Sequence, residues 1–323
     1  MGRVVLAGGS GLIGSALARA WRDAGREVVI LSRSPSPRGS APVREVGWDG
    51  HTQGAWAHEL DGAEVVVNLA GANLAGGRWT PSRKRLLRSS RLEPTGALVE
   101  AIRAVRERPR VYLQASGVNY YGARGDDPVD ESTPPGDGFL AKLCVEWEGA
   151  SAELETLGVR RVVLRNGVVL SLEGGALPRM ALPFRYGLGG RLGDGRQWFS
   201  WLHLDDMVGA FLHLADRDDA AGAFDATSPE PLSNRAWTRA LALALHRPAP
   251  WIVPAFALRA LFGELSEVLL TGQRVLPRRL LDSGYEFRYP EAAGALASFY
   301  GSGSERTRAR SSRATRSRSS GRA

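Results

Sequence analysis

The sequence predicts an α/β fold built on a doubly wound parallel sheet, and three observations carry that expectation. Short apolar runs alternate with longer amphipathic stretches along most of the chain. The first apolar run opens directly into a glycine-rich turn. That turn leads into a helix pattern and then a second apolar run, so one βαβ unit closes within about thirty residues.

Residues 3–7 (Arg-Val-Val-Leu-Ala) are too short and too uniformly apolar for a helix. They read as a strand buried on both faces. Residues 12–24 place Ile13, Leu17 and Trp21 at helical spacing and stop at Gly25. Residues 27–32 form the second strand. Residues 34–58 are rich in Ser, Pro, Gly and Trp and read as irregular, with one short strand near Val46. Further strands are expected at 64–69, 111–116 and 160–165, and helices at 81–106 and 139–157. After about residue 171 the pattern changes. Residues 174–201 are glycine-rich and read as loops. Residues 205–217 and 233–246 look helical, and 248–300 hold two proline-punctuated helical stretches.

This gives a dinucleotide-binding domain over 1–170, with late strands returning to its sheet from 171–230. Residues 171–300 form a smaller substrate-side lobe. Residues 301–323 form a basic tail, rich in Ser, Arg and Gly, that buries too little apolar surface to order and is expected to be disordered.

Bulk properties remove several classes of function. The chain has 323 residues and a formal charge of +8. Seven arginines and one glutamate lie in 301–323, which leaves +2 for the body. Nucleic-acid binding is therefore not expected of the folded part; only the tail offers the charge. The most apolar C-terminal stretch, 251–271, is interrupted by Pro254, Arg259, Glu264 and Glu267 and does not read as a membrane span. A single cysteine, Cys144, allows no internal disulfide and fits a cytoplasmic protein; it reads as a core residue on a helix. Five histidines and this cysteine show no metal-ligand spacing, so no metal is expected. A homodimer is compatible with the sequence, which does not decide it.

Gly8-Gly9-Ser10-Gly11-Leu12-Ile13-Gly14 contains G-x-x-G-x-x-G between a strand and a helix. Gly8 suits the tight turn, Gly11 a close approach of backbone to a pyrophosphate, and Gly14 the packing of helix on strand. The helix start then offers free N–H groups to phosphates. At the end of the second strand stand Ser32 and Arg33, where a site for NAD would carry an acid. A hydroxyl and a guanidinium suit a 2′-phosphate, which favours NADP(H). Asn68-Leu69-Ala70-Gly71 ends a third strand with small residues that let the backbone lie against a ligand.

These stretches resemble the extended short-chain dehydrogenase/reductases, which use a Rossmann-type fold. Ser90-Arg91-Leu92, Ser116–Gly122, Arg165–Leu170 and the long segment Gly189–His203 narrow the resemblance. Together they are similar to the NADP-dependent "epimerase family" subgroup, from about residue 2 to about 298, including its C-terminal region of unknown function. The resemblance implies cofactor contacts at Gly8, Gly11, Leu12, Ile13, Gly14, Ser32, Arg33, Leu69, Ala70, Arg91 and Val169. It implies an oxidoreductase or epimerase acting on a small polar or sugar-like substrate. The alternative is a non-catalytic NADP(H)-binding regulator or sensor.

Active members of the larger superfamily use Tyr-x-x-x-Lys on a helix. Here Lys142 fills the lysine position but Gly138 stands where the tyrosine would be. Ser116 matches the superfamily's catalytic Ser/Thr region. Tyr120 and Tyr121, on the next loop, are the candidate substitutes for the missing acid. His203 with Asp205 and Asp206 reads more readily as a structural histidine beside a helix cap than as a base. Gln197, Trp198 and Trp201 suit either a pocket wall or the core.

Overall fold

A computed structural model describes residues 2–35 and 43–301. The expectation for the tail beyond Gly301 lies outside the described residues.

Seven strands make one sheet: β1 (Arg3–Ala7), β2 (Glu27–Ser32), β3 (Val43–Gly47), β4 (Ala63–Asn68), β5 (Val111–Gly117), β6 (Arg160–Asn166) and β7 (Gly222–Ala226). Their spatial order is β7-β6-β5-β4-β1-β2-β3, and every neighbouring pair is parallel. The chain winds outward from β1 to β3, then returns to β4 on the other side of β1. The strand order therefore reverses between β1 and β4, where doubly wound sheets open a crevice at their carboxyl ends.

Two cores explain the uniformly apolar strands. Val4 and Leu6 of β1 face one core, with Val28, Ile30, Val65 and Val67. Helices α1 (Leu12–Asp23) and α5 (Leu204–Asp216) cover it through Leu17, Trp21, Met207 and Phe211. Val5 and Ala7 face the opposite core, covered by Leu98 and Ile102 of helix α2 (Pro81–Ala104). Val4 to Ala7 are all fully buried. A strand covered on both sides has no polar face, so its sequence shows no alternation.

Helix α3 (Phe139–Gly149) ends earlier than the expected 139–157, and a separate turn of helix follows at Glu153–Thr156. Cys144 is buried on α3. The glycine-rich stretch after 174 holds helix α4 (Leu177–Arg185), which the loop reading missed. Pro178 sits in its first turn, where the missing N–H breaks no helical bond. Leu177, Ala181 and Phe184 then bury in a third core with Trp201, Trp237 and Leu296. That core belongs to the part of the chain after β6, where helices α6 (Asn234–Ala244) and α7 (Ala292–Tyr300) pack together. Strand β7 returns from this region to pair with β6. Among the described residues, no helix is long and apolar enough to cross a membrane.

Candidate functional site

The glycine loop sits at the carboxyl end of β1, at the reversal of strand order. Gly8 has φ +78°, and a Cβ there would lie 2.9 Å from the Leu69 backbone carbon. A Cβ on Gly14 would come within 2.5 Å of Gly9 Cα. Both positions therefore need glycine for close approach. Gly11 differs: the nearest atom to a built Cβ is Gly8 O at 3.5 Å. The space over Gly11 is a cradle that a methyl group would enter. Gly11 caps α1 without a side-chain bond, and the first turn holds no acidic residue. The amides of Leu12, Ile13 and Gly14 thus begin the helix with their partial positive charge uncompensated.

Asn68 shapes the neighbouring strand end. It is fully buried. Its Nδ2 donates to Thr95 Oγ1 at 2.8 Å and Tyr112 OH at 3.0 Å, while Oδ1 accepts from the Ala70 N–H at 3.1 Å. This turn holds Leu69 and Ala70 against Gly8. From α2, Ser90 Oγ accepts the Ala72 N–H at 2.9 Å and Arg91 Nη2 donates to the Ala72 carbonyl at 3.3 Å. Arg91 is half-buried, stacks near Trp147 at 5.1 Å, and has no carboxylate partner among the described residues. Burial works against its charge, which makes it a suitable counterpart for an incoming anion. On the far side, a Cβ on Gly175 would lie 3.1 Å from Leu12 and 3.5 Å from the Val169 carbonyl. Val169 pairs with Leu202 in a short parallel ladder. Ser32 and Arg33 stand at the end of β2, and Arg33 is exposed.

The structure thus gathers Gly8–Gly14, Leu69, Ala70, Arg91 and Val169 around one crevice, with Ser32 and Arg33 at the next strand. An uncapped helix start, a cradle open at Gly11 and an arginine without a carboxylate fit a dinucleotide.

The three candidate catalytic hydroxyls fare differently. Ser116 is buried and donates to Glu148 Oε1 at 2.6 Å. Glu148 is held by Arg165, Nε to Oε1 at 3.0 Å and Nη2 to Oε2 at 2.9 Å. Arg165 Nη1 also donates to Tyr121 OH at 3.0 Å, and that hydroxyl donates to the Asp225 carboxyl at 2.8 Å. Tyr121 is 0% exposed. Burial first, and the neighbouring Asp225 second, push its phenol above the ordinary range. Tyr121 therefore sits inside a buried polar chain, where it cannot meet a substrate. Tyr120 is half-buried with the Arg165 guanidinium 3.4 Å above its ring, and its hydroxyl has no partner among the described residues. Gly138 has φ +97°, so this backbone is unsuited to a tyrosine. Lys142 is an exposed helix lysine.

The remaining candidates are structural. His203 stacks between Tyr289 and Phe299 at 4.0 and 4.6 Å, and its Nδ1 accepts the Asp205 N–H at 2.9 Å. The histidine itself caps α5, where the sequence favoured the aspartates. Asp206 instead accepts the backbone N–H groups of Arg288 and Tyr289 at 2.6 and 2.9 Å. Trp201 is fully buried in the third core, and Gln197 donates to the backbone oxygens of Leu192 and Leu269. Trp198 bonds Asp126 at 2.9 Å. No group of His, Cys, Asp and Glu among the described residues is placed to hold a metal.

A cleft of about 510 Å³ opens beyond β5. Trp79, Asn119, Arg124, the stretch Pro135–Ala141 and residues Glu267, Val268, Thr271 and Gln273 line it. Sequence reasoning missed most of these. It also missed Glu148, Arg165 and Asp225, whose signal was a charge inside an otherwise apolar strand or helix face.

The parallel sheet, its strand order and the glycine loop define a Rossmann-type nucleotide-binding protein. More narrowly, the chain belongs to the NAD dependent epimerase/dehydratase family, which it matches over residues 4–226. Residues 253–299 match a domain of unknown function, DUF1731. An epimerase family protein of Mycobacterium tuberculosis is 41% identical over 91% of this chain and 96% of its own length. One from Staphylococcus saprophyticus is 38% identical over 92% and 98%. Among solved structures, the human epimerase family protein SDR39U1 with NADPH is 35% identical, with TM-score 0.82 over 91% of this chain and 97% of that one. A nucleoside-diphosphate sugar epimerase from Corynebacterium glutamicum is 32% identical, with TM-score 0.75 over 92% of this chain and 57% of that one.

Proposed function

We propose that this protein is an NADP(H)-dependent oxidoreductase or epimerase acting on a small polar substrate in the cleft beyond β5. The observation that carries this reading is the meeting of four elements at the switch point. They are the uncapped start of α1, the Leu69–Ala70 turn, Arg91 and the Val169–Gly175 wall, with a cleft of about 510 Å³ nearby. The relative solved with NADPH supports the cofactor.

In this reading the amides of Leu12, Ile13 and Gly14 hold the pyrophosphate. Ser32 and Arg33 hold the 2′-phosphate, and the absence of an acid there favours NADP(H) over NAD(H). Leu69, Ala70, Arg91 and Val169 complete the walls. The bound dinucleotide supplies hydride chemistry: carbonyl reduction moves a hydride to carbon, and a proton must reach the oxygen. Tyr120 is the proposed proton donor, because it is half-buried next to the cleft-lining Asn119 and its hydroxyl has no partner among the described residues. Ser116 and Tyr121 serve as backing, since their hydroxyls are taken by Glu148 and Asp225.

The reading is tested by titrating the full chain with NADPH and NADH, in wild type and Arg33→Ala. NADPH should bind at least tenfold tighter, and Arg33→Ala should remove most of that preference. No binding of either nucleotide overturns the proposal. Gly138 favours a second reading, a binding protein without turnover. That reading predicts tight NADPH binding with no hydride exchange across any carbonyl panel.

A further inference from the structure

We propose that the cleft is built to bind a single carboxylate of its substrate, held by the first turn of α3 together with Gln273. This names the substrate class for the cleft described above and rests on that cleft being the substrate site.

Four consecutive residues, Gly138 to Ala141, line the cleft and form the start of α3. The first intrahelical bond runs from Lys142 N–H to Gly138 O at 3.2 Å. The N–H groups of Phe139, Leu140 and Ala141 precede it and have no partner within the helix. Gly138 caps the helix with no side-chain bond, and the first turn contains no acidic residue. The helix thus turns orphan donors and the positive end of its dipole onto the cleft wall. The glycine that replaces the expected tyrosine leaves this end open, and no atom lies within 4 Å of where its Cβ would stand.

Gln273 is the independent observation. It is 8% exposed and lines the same cleft. Its backbone oxygen accepts from Ser200 Oγ at 2.7 Å, while its side-chain amide has no hydrogen-bond partner among the described residues. The residue is otherwise buried, so its unpartnered amide is left to the cleft, where a ligand can take up its hydrogen bonds. A carboxylate oxygen accepts from the amide NH₂ as it does from backbone N–H groups.

The charges set the valence. Arg124 is the one cation on the cleft wall among the described residues, with Nε and Nη2 donating to the Tyr121 and Pro134 carbonyls at 2.9 and 2.7 Å. Asp137 and Glu267 lie at the exposed rim without ion-pair partners among the described residues. Lys84, over the Phe139 ring at 5.2 Å, is paired with Glu264. Arg124 and the helix start favour an anion on the floor, and Asp137 and Glu267 oppose them at the rim, which leaves place for one negative charge at most. A diphosphate would bring a second charge past two unpaired carboxylates. Trp79 and Phe139, edge to face at 5.6 Å, form the apolar wall and suit a ring or alkyl group beside the carboxylate.

The test measures binding of 3-phenyllactate, its neutral amide 3-phenyllactamide, and UDP-glucose to the full chain by calorimetry, with and without NADP⁺. The acid should bind at least tenfold tighter than the amide, and UDP-glucose more weakly than either. Gln273→Glu should abolish acid binding and spare the amide. Asp137→Asn, at the exposed rim, should tighten the acid severalfold with no change in melting temperature. Equal binding of acid and amide, binding of neither, or tighter binding of UDP-glucose overturns the proposal. Because neither the α3 turn nor Gln273 is among the proposed nucleotide contacts, the series run without NADP⁺ separates this failure from loss of the cofactor site.

Discussion

Arg165 and Glu148 form a two-pronged ion pair inside the protein, with side chains only 6% and 12% exposed. The pair joins β6 to α3 and anchors a chain of hydrogen bonds from Ser116 to Asp225. Breaking such a pair from one side leaves a buried charge alone, which costs about 3–5 kcal/mol. Glu148→Gln is therefore expected to lower unfolding stability by about that amount, read from urea denaturation. A loss within about 0.5 kcal/mol, typical of surface changes, would mean that the pair is solvated in solution.

Two glycines in one loop are expected to part company. Gly14→Ala drives a methyl group into the Gly9 backbone at 2.5 Å and should destabilise the fold by about 1–3 kcal/mol, as overpacking does. Gly11→Ala meets nothing closer than 3.5 Å and has an ordinary φ of −77°. Its melting temperature should stay near wild type while NADPH affinity falls more than tenfold. Intact NADPH binding in Gly11→Ala would remove the phosphate role from this loop.

Neighbouring tyrosines give a second contrast. Tyr121→Phe strips a hydroxyl from between Arg165 and Asp225 and should cost about 1–3 kcal/mol of stability. Tyr120→Phe removes a hydroxyl with no partner among the described residues, so stability should hold. If Tyr120 is the proton donor, turnover on an accepted carbonyl should fall by about 10²-fold or more. The split between kcat and melting temperature, measured on both variants, decides which tyrosine acts.

Most of the main sheet was legible because a strand buried on both faces writes itself as an apolar run. Val4–Ala7, Val28–Leu31 and Val65–Val67 are such runs. Strand β7 was harder, since Gly-Ala-Phe-Asp-Ala carries a fully buried aspartate where apolarity was the cue. Helix α4 hid behind Pro178 and Pro183; Pro178 is tolerated in the first turn, while Pro183 lies inside the helix, where a proline ordinarily argues against one. The glycine loop was legible because its residue types are set by backbone contacts within one βαβ unit. The cleft beyond β5 was not. Trp79, Gln273 and the start of α3 come from segments that meet only in the fold, and no local pattern joins them. The buried chain from Ser116 to Asp225 could have been suspected from Arg165, a charge that directly follows the run Val162–Leu164 within one strand.

His203 supplies a pH prediction with a definite sign. Its ring is 5% exposed and packed between two aromatic rings. Burial, outweighing the attraction of Asp205, brings its pKa down to about 4. The Asp205 N–H can only donate, so Nδ1 is the unprotonated nitrogen of a neutral ring. In the unfolded chain the same histidine titrates near 6.5. Between those values the unfolded state binds the extra proton, so stability is full above about pH 6.5 and is lost as pH falls towards 4. The loss from this one group is of order 3 kcal/mol. Asp206 and Asp225, raised chiefly by burial, act in the opposite sense, since their contribution weakens as pH rises. Comparing wild type with His203→Gln by chemical denaturation at pH 4.5 and pH 7.5 cancels those shared terms. The glutamine variant, which keeps an acceptor for the helix cap, should lose less stability on acidification than wild type. Parallel pH curves for the two proteins would show that His203 is protonated in the fold, and the cap would then need another acceptor.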